Sequence, residues 1–365
     1  MMNTLASAKR RLNWRRVGAN YWPIFKASIL TTNATATVTD TLTTPTGTYA
    51  GTGAFYGGVL LSDGRVFCIP NGSTTARIYD PLTNTLTTPS GTYPGSNAFL
   101  GGVLLLDGRV FCSPASSTSA RIYNPFTDTL TTPAGTYAGT SEFGPPVLLP
   151  DGRVFLTPST STIAKIYDPV ANTLTNATGS YTGGSAAFTG GVLLPDGRVF
   201  CVPTNSTSAR IYNPITDTTT TPSGTYPGTY AFLGGVLLPD GRVFCVPFNS
   251  FSARIYDPIS DTLTTPNGTY PSSFGLFGGA LLPNGRVYCS PYNSTTARIY
   301  DPISNTVSTP SGTFAGSAAF GGKVSLLDGR VFCVPYNSTS ARIYGATGTG
   351  SYDPNVILSS YHNKF

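Results

Sequence analysis

Hydrophobic and polar residues follow one another along this chain in short stretches that repeat every 44 or 45 residues. Apolar positions are spaced as in strands, and helical spacing appears nowhere in the repeating unit. Each unit therefore predicts four short strands, which in the first copy are residues 57–61, 65–70, 76–81 and 84–89. The segment Asp-Gly-Arg-Val-Phe, which is Asn-Gly-Arg-Val-Tyr in the sixth copy, marks seven units by its arginine, at Arg65, Arg109, Arg153, Arg198, Arg242, Arg286 and Arg330.

Turn-forming residues separate the predicted strands. Pro-Asp-Gly, as at Pro150, Asp151 and Gly152, lies between the first and second strands and favours a tight hairpin. An Asp-Pro or Asn-Pro pair ends the third strand, because proline cannot donate a hydrogen bond to a central ladder. Four-stranded sheets at this period are typical of propeller blades. We therefore predict an all-β fold, a seven-bladed β-propeller of four-stranded blades.

The two ends of the repeat array complement each other. A fourth-strand sequence at residues 40–45 precedes the first complete unit, and the seventh unit stops after its third strand, at Tyr344. We expect the N-terminal strand to complete the last blade, since a closed ring leaves no sheet edge open. The predicted organisation is an arm at residues 1–38, a propeller at 39–345 and a tail at 346–365.

The repeat resembles the kelch repeat. The segments Asp-Gly-Arg-Val-Phe-Cys-Val-Pro, Ala-Arg-Ile-Tyr-Asp-Pro and Asn-Thr-Leu-Thr-Thr-Pro carry this resemblance, which covers residues 39–345 and implies the propeller fold. The Gly-Gly pair that closes the second strand of a kelch repeat is replaced by Val-Pro or Ile-Pro. The tryptophan of its fourth strand is also replaced, so the resemblance implies the fold and not specialised kelch functions. The replacing residues are Leu42, Leu86, Leu130, Leu174, Thr219, Leu263 and Val307.

Charge is sparse and unevenly distributed. Only 10% of the residues are charged, and 41 glycines and 30 prolines argue against long helices. The net charge of +6 resides in the arm, because residues 39–345 carry 15 cations and 15 acids. We interpret the repeated arginines of the propeller as members of partly buried ion pairs between blades. No apolar run reaches the roughly 18 residues of a membrane span, and we expect a soluble chain made in a cytoplasm.

The arm, residues 1–38, mixes cations with aromatic side chains over a short span. Nucleic acid binds such sequences through phosphates and stacking, and protein grooves bind them through aromatic and arginine hot spots. Packing of the arm on its own propeller is the third alternative. We favour docking onto another protein. The candidate partner-binding residues of the arm are Lys9, Arg10, Arg11, Trp14, Arg15, Arg16, Tyr21, Trp22 and Phe25.

Six cysteines stand at one repeat position, where the third copy has Leu156. Equivalent positions of neighbouring blades diverge from the ring axis, whereas a disulfide needs Cα atoms within about 7 Å of each other. We therefore expect buried, reduced thiols, which suit a reducing compartment. These residues are Cys68, Cys112, Cys201, Cys245, Cys289 and Cys333.

A catalytic constellation is hard to find in this sequence. Kelch-like propellers of the galactose oxidase type need histidines for copper, and His362 is the single histidine. Sialidase boxes need a tryptophan in the repeats, and tryptophan occurs only at Trp14 and Trp22. Almost every aspartate belongs to the repeat consensus. The sequence therefore predicts no catalytic residue, metal or cofactor, and we expect the protein not to be an enzyme.

Function is expected where the repeats differ. The loops from second to third strand and from fourth to first strand emerge on one face of the propeller, and blades five to seven add aromatic residues there. These residues suit contact with a protein or a glycan and should share one sector of the rim; scattered exposed aromatics are the alternative. The candidate residues are Tyr230, Phe248, Phe251, Phe274, Tyr292 and Tyr336.

Together these patterns favour a non-catalytic structural or attachment protein. The arm would anchor the chain to a larger assembly, and the propeller face would meet a partner. Near-identical repeats with few charges resemble propeller modules of virion structural proteins, such as minor capsid, tail or fibre components. That resemblance implies a virion protein assembled in a reducing cytoplasm. The alternative is a cytoplasmic kelch-like adaptor that binds protein through blades five to seven.

Overall fold

The computed structural model describes residues 39–181, 184 and 186–345. Strands are the regular elements of this part of the chain, and they form seven four-stranded antiparallel sheets. The sheets are the blades of a seven-bladed β-propeller, which confirms the predicted fold class. The predicted arm and tail lie outside the described residues.

In six blades the four strands run in chain order from the centre of the ring outwards, and in the seventh the outermost strand is the N-terminal one. The innermost strands, which contact one another around the axis, are β2 (Phe55–Leu60), β6 (Phe99–Leu104), β10 (Phe143–Leu148), β14 (Phe188–Leu193), β18 (Phe232–Leu237), β22 (Leu276–Leu281) and β26 (Phe320–Ser325). The second strands are β3 (Val66–Pro70), β7 (Val110–Pro114), β11 (Val154–Pro158), β15 (Val199–Pro203), β19 (Val243–Pro247), β23 (Val287–Pro291) and β27 (Val331–Pro335).

The two outer strands of each blade are shorter. The third strands are β4 (Arg77–Asp80), β8 (Arg121–Asn124), β12 (Lys165–Asp168), β16 (Arg210–Asn213), β20 (Arg254–Asp257), β24 (Arg298–Asp301) and β28 (Arg342–Tyr344). The outermost strands are β5 (Thr85–Thr87), β9 (Thr129–Thr131), β13 (Thr173–Asn176), β17 (Thr218–Thr220), β21 (Thr262–Thr264), β25 (Thr306–Ser308) and β1 (Leu42–Thr43).

Strand β1 closes the ring. It pairs antiparallel with β28, and Leu42 lies opposite Tyr344 while Thr43 lies opposite Ile343. The backbone N–H of Gly345 donates to the carbonyl of Thr41 over 2.9 Å. The N-terminal strand thus completes the seventh blade, as predicted, and it gives that blade the outer strand that the C-terminal repeat lacks.

Aromatic stacking joins neighbouring blades. The second-strand ring of one blade stacks on the third-strand tyrosine of the next, as in Phe67 on Tyr123, whose centroids are 4.8 Å apart. The same contact closes the ring between Phe332 and Tyr79, at 4.9 Å. The six cysteines are free and buried beside this core. The interface between blades is therefore apolar, which confirms the expectation of buried, reduced thiols.

Among the described residues, the ion pairs of the repeated arginines lie within single turns and not between blades, so that interpretation is wrong. Nη2 of Arg65 lies 2.7 Å from Oδ2 of Asp63, in the same hairpin turn. The tight Asp-Gly-Arg turn brings the two side chains together at the surface, and such exposed pairs contribute at most about 1 kcal/mol. Third-strand arginines bind neutral groups, as when Arg77 donates to the hydroxyl of Thr88. The pairing within the turn recurs at Arg109, Arg153, Arg198, Arg242 and Arg330.

A repeated tyrosine hydroxyl lacks a hydrogen-bond partner at the blade interface. In five repeats this buried hydroxyl has no partner among the described residues. In the fourth long loop Tyr181 shares a hydrogen bond with Thr219, which stands where most repeats have leucine. In the last long loop Phe314 has no hydroxyl to satisfy. The five unpartnered tyrosines are Tyr49, Tyr93, Tyr137, Tyr226 and Tyr270.

Removing one of these hydroxyls should stabilise the protein. Tyr93→Phe is expected to raise the free energy of unfolding by about 1 kcal/mol, because a buried polar group without a partner costs about that much. Tyr181→Phe is the matched control and should lower the free energy by about 1 kcal/mol, since it breaks the bond to Thr219. Urea denaturation of both variants measures the two effects. Equal changes in the two variants would contradict this explanation.

Candidate functional site

The loops from fourth to first strand end in a strained turn on one face of the propeller. In blade five the turn is Thr229 and Tyr230, with φ angles of 54° and 58°. In blade six it is Ser273 and Phe274, at 61° and 60°. Left-handed backbone is rare for bulky residues and costs on the order of 1–3 kcal/mol. The other blades place smaller residues at the second position: Gly53, Asn97, Ser141, Ala186 and Ala318.

Asparagines of the preceding blade hold these two turns in place. Oδ1 of Asn205 accepts from the backbone N–H of Tyr230 over 2.6 Å. Asn249 acts at both ends of its amide: Oδ1 accepts from the N–H of Ser273, and Nδ2 donates to the carbonyl of Thr229, each over 3.1 Å. The surrounding structure therefore fixes the left-handed conformation that carries the aromatic side chains.

The two strained aromatics belong to a continuous group of rings, which we call the aromatic cluster. The ring of Tyr230 lies 6.1 Å from that of Phe274, which lies 4.9 Å from that of Phe248. The chain of ring contacts continues through the sixth, seventh and first blades, at centroid distances of 4.8–6.4 Å. The cluster comprises Tyr56, Tyr230, Phe248, Phe274, Phe277, Tyr292 and Tyr336.

Five of the six aromatic residues singled out in the sequence are thus brought together. The sixth, Phe251, is 65% exposed and makes no ring contact with the other described residues. Tyr56 and Phe277 were missed because they lie in the innermost strands rather than in loops. Variability could have identified them, since five different residue types occupy this second position of the innermost strand in the seven blades.

The cluster presents an uncharged surface with buried support. Tyr230 and Phe274 are each 38% exposed, whereas Phe248 and Phe277 are buried beneath them. Burial, reinforced by the neighbouring Tyr336, raises the pKa of Tyr292 to about 12, and burial also raises the pKa of Tyr56. The hydroxyls of these tyrosines are therefore protonated at neutral pH. The surface offers apolar ring faces and neutral donors.

The centre of the ring lies next to the cluster. Each innermost strand bulges there. Gly57 has a φ of 79° and a Cβ on it would lie 3.3 Å from the Cα of Gly101, so the close approach favours glycine. The glycines leave a cavity of about 30 Å³ at this point. Besides glycines of the innermost strands, the cavity is lined by Tyr56, Pro145, Thr189, Leu233, Phe277 and Lys323.

The opposite face carries a ring of exposed apolar side chains. In six blades the turn between third and fourth strands places one such residue after its proline, and these residues are 58–95% exposed. They were not among the predicted site residues, although an apolar residue inside this turn is visible in six of the seven repeats. They are Leu82, Phe126, Val170, Ile215, Ile259 and Ile303.

The nine candidate residues of the arm lie outside the described residues. Within the described residues, no group of three or more histidine, cysteine, aspartate or glutamate side chains is placed to hold a metal ion. The same part of the chain contains no helix with the length and apolar character that a membrane crossing requires.

The chain shares its fold with solved propeller structures. Virginiamycin B lyase from Staphylococcus aureus superposes with a TM-score of 0.71 at 11% identity, over 84% of this chain and 99% of that chain. A streptogramin B lyase gives 0.71 at 11% identity, over 84% and 98%. A fungal alcohol oxidase of the AA5 family, in complex with copper, gives 0.61 at 13% identity, over 84% and 75%. These identities show the fold alone.

No protein-family model matches the chain, and no curated protein matches it. The propeller is thus shown, while the kelch resemblance and the resemblance to virion proteins are not confirmed. The prediction that the protein is not an enzyme is wrong, because solved structures of the same architecture are lyases and an oxidase. The propeller fold by itself therefore does not exclude catalysis.

Proposed function

We propose that this propeller is a binding module that receives another protein on the aromatic cluster. The observation that carries the proposal is the left-handed backbone of Tyr230 and Phe274, together with the 38% exposure of both side chains. Strain of this kind persists where function requires it. The fold requires the left-handed turn, which every blade builds, but not a bulky aromatic residue in it, because the other blades have glycine, asparagine, serine or alanine there.

A protein partner fits the cluster better than a glycan. Recognition of sugar hydroxyls needs polar side chains that are available to the ligand. Two asparagine amides beside the cluster are engaged by the loops: Asn249 and Asn293 each accept from one loop N–H and donate to a loop carbonyl. Neutral aromatic surface with protonated tyrosine hydroxyls is instead typical of protein interfaces.

A structural or attachment role remains our leading proposal, with the adaptor role as the alternative. The ring of exposed apolar residues on the opposite face supports the first, because six blades repeat an apolar side chain that a partner could cover. A chain that meets protein on both faces fits an assembly component better than an adaptor with one partner. The basic arm as the anchor, nucleic acid as a less favoured partner of that arm, and a virion as the assembly are parts of this proposal.

A capture experiment with matched variants tests the binding function. The full chain, a chain of residues 39–365 and the double variant Tyr230→Gly/Phe274→Gly are used as baits in nuclease-treated source lysate. A double variant at Ala186 and Ala318, each changed to Gly, controls for the turns. We expect one dominant protein that the control retains and the aromatic variant loses. Retention by both double variants would overturn the proposal; loss with the arm alone would assign that partner to the arm.

A further inference from the structure

Lys323 departs from the repeat at a buried position of the seventh innermost strand. The equivalent residue is glycine in five blades and Pro146 in the third. The lysine is only 3% exposed. Five equivalent glycines show that folding requires no side chain here: Gly58, Gly102, Gly191, Gly235 and Gly279.

The sixth blade has smaller side chains where it faces this lysine. Gly279 is the equivalent of Lys323 in the sixth blade, and a Cβ on it would lie 2.9 Å from Val236 and 3.0 Å from Val246 of the fifth blade. A side chain at this repeat position therefore faces these two positions of the preceding blade. For Lys323 the preceding blade is the sixth, which has Ala280 and Ser290 at the two positions. Alanine replaces a valine that all six other blades keep. Two smaller residues therefore make room for the lysine at this interface.

The amine of Lys323 lies at the central cavity without a counter-ion. Its Nζ occupies the space beside Gly278, and the residue lines the cavity with Tyr56 and Phe277. None of the carboxylates in the described residues forms an ion pair with it. The amine therefore borders a small space that a ligand can enter.

The groups that face the lysine from the packed strands are neutral. These are Cys333 on β27, Cys289 on β23 and Tyr56 on β2, while β22 contributes Phe277 and Gly278. Burial raises the pKa of the Cys333 thiol to about 11 and that of the Cys289 thiol to about 12. With no neighbouring anion at neutral pH, burial lowers the pKa of Lys323 to about 7. A large fraction of the amine is then unprotonated, which is the nucleophilic form.

We propose that Lys323 is a nucleophilic amine that captures small aldehydes in the central cavity as an imine. The Nζ lone pair attacks the carbonyl carbon while the C=O π bond breaks, and one proton passes from the nitrogen of this adduct to the former carbonyl oxygen to give a carbinolamine. Loss of the nitrogen proton and of hydroxide, together one water, leaves the C=N bond, and no oxidant or reductant takes part. The neutral product suits an apolar cavity without counter-ions.

The size of the cavity restricts the aldehyde. The cavity volume is about 30 Å³. One water needs roughly 10–15 Å³ on this scale, so the cavity has room for about two waters. An aldehyde of one or two carbons fits this space next to the rings of Tyr56 and Phe277. This inference is independent of the proposed protein-binding function, because it concerns the cavity and not the exposed rings.

Reductive methylation tests the proposal. The full chain is treated with formaldehyde and cyanoborohydride, which reduces the imine to a stable methylamine, and each lysine is followed by peptide mass spectrometry. Lys165, whose Nζ reaches Asn176 at the surface, is the internal reference. We expect Lys323 to be methylated roughly 10- to 100-fold faster than Lys165 at pH 7, since an ordinary lysine is almost fully protonated there. Its rate should rise with a midpoint near pH 7.

Two controls separate nucleophilicity from other effects. Lys323→Gly restores the residue of the other blades and should remove the fast site while Lys165 keeps its rate. Urea-unfolded wild type should label both lysines at similar rates. Labelling of Lys323 that is slower than that of Lys165 at pH 7, or that rises only above pH 9, would overturn the proposal.

Discussion

Lys323→Met is expected to raise the free energy of unfolding by on the order of 4 kcal/mol at pH 7. Burial lowers the pKa of this lysine from its ordinary value near 10.5 to about 7, so the folded state holds the charged amine at a cost. Methionine keeps the apolar stem and removes the amine. The cavity around the side chain remains filled, and the loss of the desolvation cost dominates.

The pH dependence of this effect has a definite sign. The unfolded lysine keeps its proton up to about pH 10.5, whereas the folded lysine loses it above about pH 7. Between these values the unfolded state binds more protons, so wild-type stability rises with pH. The advantage of Lys323→Met is therefore full below pH 7 and disappears towards pH 10.5.

Urea denaturation between pH 6 and pH 10 measures this dependence. Lys165→Met serves as the control, because that lysine lies at the surface and its replacement should change stability little at any pH. A stability gain in Lys323→Met that stays constant across this range, or a loss of stability at pH 7, would contradict the burial of an unpaired amine.

The double variant Tyr230→Gly/Phe274→Gly should bind its partner about 100-fold more weakly. Loss of two aromatic contacts at the centre of an interface should cost about 3 kcal/mol of binding free energy. Glycine adopts positive φ freely, so relief at the two turns should contribute about 1 kcal/mol each. This relief offsets the packing that is lost with the two mostly covered rings, so stability should change much less than affinity.

The control for this prediction is Ala186→Gly/Ala318→Gly, which relieves the same turn in blades four and seven. It should gain about the same relief, with almost no side-chain packing to lose, and keep full affinity for the partner. Urea denaturation and titration of the purified partner give the two quantities. An aromatic variant that stays folded with unchanged affinity would show that the strained rings serve no contact.

The fold could be predicted from the sequence because the same pattern of four strands and their turns recurs in seven units. The leftover strand at one end and the missing strand at the other required closure through Leu42 and Thr43, which pair with β28. The interface between blades was harder to foresee. Arginine and aspartate recur in every unit, and spacing alone does not show that Arg65 folds back on Asp63 in its own turn.

The candidate site was only partly predictable. Aromatic departures from the repeat in blades five to seven pointed to the right face, and five of those residues join one cluster. Strain at Tyr230 and Phe274 depends on backbone angles that the sequence does not display. Lys323 was visible in the sequence as a lysine at a repeat position where five blades have glycine. Its proposed reactivity depends on its burial and on the smaller residue Ala280 beside it, which the sequence alone does not show.

Hydrogen–deuterium exchange of the complex tests the central claim most directly, since it maps the contact surface on the unmodified chain. Binding should slow exchange in peptides that span residues 226–233 and 270–277, which carry the strained turns. The equivalent peptide of blade two, residues 93–100, should exchange as in the free protein. Protection at blade two equal to that at blades five and six, or no protection at either strained turn, would contradict binding through the aromatic cluster.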